Sequence, residues 1–80
     1  MGVTKVLMCR LPFRTHLFNQ NQKVWVKFRS GNLAYCVVGK HRGKGRYITG
    51  WVSWLHANRP APDWKEIEVD EEFAKRLGIL

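Results

Sequence analysis

The first 62 residues contain no aspartate and no glutamate. All six acids of this 80-residue chain fall between Asp63 and Glu72, against 14 lysines and arginines overall. Eleven of those cations precede residue 63, so the first segment is formally +11 and the rest −3, which together give the net +8. Ordinary solubility asks only for a mixed surface of modest charge. A chain that is acid-free over three-quarters of its length instead presents a positive field, which favours polyanionic partners.

Other shortages narrow the reading further. No apolar run is long enough to span a bilayer as a helix, and "MGVTKVLMCRLPF" lacks the sustained apolar stretch of a secretory signal. Val6 stands where N-myristoylation requires Ser or Thr. The expected location is therefore the cytoplasm, or the nucleoid, with no membrane partner. Two cysteines, Cys9 and Cys36, make no disulfide framework and are expected reduced and packed. Their spacings to His16 and His41, C-x6-H and C-x4-H, are not those of paired zinc ligands, so neither metal nor cofactor is expected.

Catalytic constellations are missing too. His16, His41 and His56 are scattered, the carboxylates crowd into the last segment, and no nucleophile has a neighbouring base. "GKHRGKG" (39–45) falls short of a phosphate-binding P-loop, because Gly45 follows Lys44 where Ser or Thr is needed, and the continuation reads as strand. The expectation is a protein without enzymatic activity.

What is present reads as strands. Residues 3–11 are β-branched and apolar up to Pro12, and an eleven-residue connection follows. In "KVWVKFR" (23–29), alternation puts Val24, Val26 and Phe28 on a core face and Trp25, Lys27 and Arg29 on the other. "SGN" (30–32) predicts a hairpin turn, and 33–40 a third strand. In 46–55, Ile48, Gly50, Val52 and Trp54 share one parity while Tyr47, Thr49, Trp51 and Ser53 share the other. Gly50 there suggests a bulge or a bend. A Pro-punctuated connector (56–64) leads to a short strand at 65–69 with Ile67 and Val69 inward. A helix closes the chain: Asp70 suits its N-cap, Glu71 and Glu72 its first turn, Lys75 and Arg76 its last, and Gly78 its C-terminal cap. Phe73 and Leu77 form the stripe it buries.

One domain over 1–80 follows, with a basic body (1–55), the connector, and an acidic strand and helix (65–80). The order of strands, with a long loop after the first, resembles that of SH3-like barrels, with OB-like barrels as the nearest rival. The expected fold is thus mostly β, a small five-stranded antiparallel barrel with a short C-terminal helix.

The functional expectation rests on "GKHRGKGRYITGWV" (39–52). Lys40, Arg42, Lys44 and Arg46, with His41, sit on a glycine-rich hairpin whose backbone N–H groups could approach phosphates. Trp25, Tyr47 and Trp51 are read as outward rings beside Lys27 and Arg29, fit to stack on bases while cations hold the backbone. Nucleic acid is the expected partner, with RNA or another single strand ahead of duplex DNA. The rival is a protein-interaction module that binds an acidic surface or peptide through the same face. Exposed strand edges make a dimer an open alternative.

Overall fold

The computed structural model of the chain describes residues 2–31 and 33–80. Five strands, β1 (Val3–Arg10), β2 (Lys23–Ser30), β3 (Ala34–Lys40), β4 (Tyr47–Ser53) and β5 (Lys65–Asp70), precede one helix, α1 (Glu71–Leu77). Every pairing is antiparallel, and the strands form one sheet in the order β4-β3-β2-β1-β5. The fold is mostly β with a short C-terminal helix, as the sequence predicts. Closing it into a barrel would need a further ladder between β4 and β5. Among the described residues the pairings end at those two strands.

The sheet carries a core on each face. On one, Cys9, Leu11, Phe18, Val24, Tyr35, Val37, Val52 and Trp54 pack together, with Phe13, Leu17 and Trp64 against them. Much of its cover comes from the connection after β1, where Thr15 Oγ1 accepts from the backbone N–H groups of Leu17 (3.1 Å) and Phe18 (2.9 Å) and folds the segment back. We call this the loop face. On the other, the helix face, Val6, Trp25, Val38, Ala74 and Leu77 pack together, with Phe73 half-buried against them.

The helix ends as its sequence dictates. Asp70 accepts from Glu72 N (2.9 Å) at the N-cap, and Gly78 takes the left-handed conformation (φ 78°) that a Cβ would strain. The turn after β2 is described at Ser30 and Gly31, the latter with φ 76°. Asn32, also expected in that turn, lies outside the described residues.

Three local expectations change. Gly50 does not mark a bulge, because the β3–β4 ladder runs unbroken through Val37↔Gly50. A Cβ there would lie 2.5 Å from Leu17 Cδ1, so glycine admits the overlying loop. The bulge lies in β2 instead, between Val26 and Phe28. It inserts one residue, Lys27, and so reverses the parity of everything after it. Phe28, expected beside Val24 and Val26 in the core, swings to the helix face and is 54% exposed. Trp25, expected to point outward, is only 8% exposed, because α1 brings a second core to the face assigned to solvent.

Candidate nucleic-acid interface

A seven-residue helix is about 10 Å long, while five strands spaced at about 4.8 Å make a sheet roughly 19 Å across. The helix makes its main contacts with β1 and β5, and Ala74, Leu77 and Phe73 also reach Trp25 of β2, Val38 of β3 and Tyr47 of β4. Phe28 at the far end of β2 and Trp51 of β4 stay exposed on the same face. There Phe28, Cys36 and Trp51 are direct cross-strand partners and form one row. Cys36 is buried, whereas Phe28 and Trp51 (55% exposed) stand over it with their rings 5.5 Å apart at 80°. The next row holds Trp25, Val38 and Thr49, and beyond it Lys40 pairs with Tyr47. Tyr47, 45% exposed, touches Trp25 (6.2 Å) and Phe73 (6.3 Å) edge-on, and so joins the covered half to the open one.

The cations divide among several places. Lys40 shares a face with Tyr47, and Lys44 and Arg46 are exposed on the adjoining hairpin. Lys27 reaches the C-terminal end of α1, where a Cβ added to Gly78 would lie 3.4 Å from its Nζ. A cation there complements the negative end of the helix dipole. Arg29 follows the bulge and pairs with Tyr35, whose ring packs into the loop-face core. Arg29 is therefore on the opposite face from Trp51.

Arg42 also turns away. Its guanidinium donates to Thr15 O (2.9 Å) and its backbone N–H to Leu17 O (2.8 Å), which ties the hairpin to the loop face. With Arg14, Thr15 and His16 it lines a shallow notch of about 240 Å³. His41 Nδ1 accepts from the N–H groups of Gly43 (2.9 Å) and Lys44 (3.0 Å). Those two donors, expected to be open to phosphates, are thus already satisfied by the hairpin's own imidazole.

Of the residues singled out in the sequence, the structure gathers Lys40, Tyr47 and Trp51, with Lys44 and Arg46 alongside. It moves Trp25 into the core, and it moves Arg29 and Arg42 toward the other face. It adds Phe28, which alternation alone had assigned to the core. No local signal marks Phe28, because the Lys27 charge at the bulge reads equally well as an ordinary solvent-facing residue of the strand "KVWVKFRS".

Sheet order also separates the charges. The acids of β5 lie on the edge strand farthest from β4, and Glu71 of α1 sits beside Gly2, just before β1. Among the described residues the one ion pair found is Lys5–Glu66 (3.8 Å), exposed on β1 and β5. The hairpin and the open aromatic row therefore have no carboxylate on their own strands.

A cleft of about 480 Å³ opens between the end of β1 and the connector, walled by Met8, Cys9, Trp54, Pro60 and Pro62. Burial, with Asp63 adding to it, pushes the Cys9 thiol from an ordinary 9.0 up to about 12. Near neutral pH this thiol is protonated, which removes it as a nucleophile and weakens it as a metal ligand. No cluster of three or more His, Cys, Asp or Glu side chains suited to a metal ion occurs among the described residues. No described helix is long and apolar enough to cross a membrane.

No family model matches this chain, and neither a curated protein nor a solved structure is significantly similar to it.

Proposed function

We propose that this chain binds nucleic acid, single-stranded RNA foremost, on the open half of its helix face. The observation that carries the reading is the exposed Phe28–Trp51 pair on an acid-free part of the sheet, with Tyr47 and Lys40 two rows away. Exposed rings of this kind offer a platform to any base, and one stacked base is worth about 1–3 kcal/mol. Lys40, Lys44 and Arg46 supply the phosphate contacts. Removing any one of these cations lowers the slope of log affinity against log salt by about 0.7 for a single strand. The uncharged row between them, Trp25, Val38 and Thr49, offers a base edge little beyond the Thr49 hydroxyl, so the binding is largely indifferent to sequence. Binding is the proposed activity, and no reaction is assigned.

The test is a titration of single-stranded RNA, single-stranded DNA and duplex at two salt concentrations, followed by tryptophan fluorescence. The reading requires quenching by the single strands, a steep loss of affinity with salt, and loss of the quenching in Trp51→Ala. Weakened binding in Phe28→Ala, with folding unchanged, assigns the second ring. No binding to any of the three at low salt overturns the proposal and returns the face to an acidic protein partner.

A further inference from the structure

The two edges of the sheet are built differently. β5 reads "KEIEVD": four of its six residues are charged, the usual protection of an edge strand against pairing with another chain. β4 reads "YITGWVS": seven residues with no charge, no proline and no bulge, at the opposite edge. Its outer backbone groups form an unguarded template.

Which groups face outward follows from the hydrogen bonds. Arg46 O accepts from His41 N (2.7 Å) and Trp54 N donates to Leu33 O (2.8 Å), so both residues direct their backbone groups toward β3. In an antiparallel strand these directions alternate. Ile48, Gly50 and Val52 therefore also point inward, and the N–H and C=O groups of Tyr47, Thr49, Trp51 and Ser53 point away from the sheet.

From this we infer that the β4 edge is a homodimer interface, two copies pairing β4 antiparallel about a two-fold axis at Gly50. In that register Tyr47 pairs with the second copy's Ser53 and Thr49 with the second copy's Trp51, giving about eight inter-chain backbone hydrogen bonds. The arrangement is self-complementary, as a two-fold interface must be. Gly50 meets its own counterpart at a non-hydrogen-bonded position, where backbones approach most closely. No like charges meet, because Arg46, the nearest cation, falls opposite the second copy's Trp54. The two helix faces continue into one ten-stranded sheet, and their Phe28–Trp51 pairs lie on the same side of it. The inference does not depend on nucleic-acid binding, and its test uses none.

Sedimentation of the purified chain from micromolar to millimolar concentration is the measurement. A concentration-dependent dimer is expected. Thr49→Pro removes only an outward N–H, so its circular dichroism and thermal midpoint stay near those of the parent while the dimer dissociation constant rises by at least about tenfold. Thr49→Lys, which keeps the backbone intact, places two ammonium groups beside the axis and weakens the dimer in the same direction. A chain that stays monomeric at millimolar concentration overturns the inference. So do a dimer indifferent to both substitutions and assembly into filaments, which would signal head-to-tail pairing of β4 with β5.

Discussion

The helix face is one surface with two halves, and its aromatic rings are used in opposite ways. Near the start of β2, beside β1, Trp25 is closed off by α1, with Phe73 meeting it edge-on at 5.6 Å and 73°. Toward the end of β2, Phe28 meets Trp51 of β4 in nearly the same geometry, 5.5 Å and 80°, and both rings stay more than half exposed. The ring contacts do not distinguish the two. What does is the reach of a seven-residue helix, which covers one half of the sheet and stops. An aromatic pair is therefore buried or exposed according to what lies overhead.

The largest effect expected from breaking this comparison is on stability. Trp25→Ala empties a buried site and costs about 3–5 kcal/mol. Trp51→Ala gives up one exposed ring pair, worth about 0.5–1.5 kcal/mol. Thermal or denaturant unfolding of the two variants checks the contrast, and equal losses would mean that the halves are not built differently.

Next comes the helix itself. Gly78→Ala forces a side chain into the left-handed conformation at a cost of about 1–2 kcal/mol, and Asp70→Ala removes the cap at a similar cost. Both variants loosen the cover over Trp25. Faster hydrogen exchange in α1 and a red-shifted Trp25 emission are expected, measured in chains where Trp51, Trp54 and Trp64 are replaced by Phe. An unshifted spectrum would detach Trp25 from the helix.

The loop face supplies a pH test. The folded Cys9 thiol holds its proton up to about 12, whereas the unfolded thiol loses it near 9.0. Between those values the unfolded chain binds fewer protons, so stability is fully present below pH 9 and falls as pH rises through the window. At pH 10 the loss is on the order of 1 kcal/mol. Comparing the thermal midpoints of the parent chain and Cys9→Ala at pH 8 and pH 10 isolates this from other groups. The parent should fall further than the variant.

The smallest effect is the most discriminating for function. Lys40→Ser should reduce the salt slope of RNA binding by about 0.7, while Arg29→Ser, on the other face, should leave it unchanged. Equal reductions would erase the distinction between faces.

Much of the fold is legible in the sequence because its signals are local. Pro12 stops the first strand's reading, and the alternation over 47–54, Ile48, Val52 and Trp54 against Tyr47, Thr49 and Trp51, matches the burial observed. Asp70, Glu71 and Glu72 at one end of α1 and Gly78 at the other delimit the helix almost to the residue. The candidate site is legible only in part. The hairpin cations and Trp51 can be read from composition and parity. Phe28 and Arg29 cannot, since a single inserted residue reverses which side they take, and nothing in "VWVKFR" states where the partner strand slips.

The chain by itself thus determined where strands and helix begin and end, and that positive charge gathers before residue 63. Those outcomes depend on backbone preferences and side-chain types within a few residues of each other. Only the tertiary structure decided which rings are buried, which arginine returns to the loop, and which edge is left unguarded. Each of these depends on what a distant segment covers, and a residue cannot register that until the sheet has brought the segment to it.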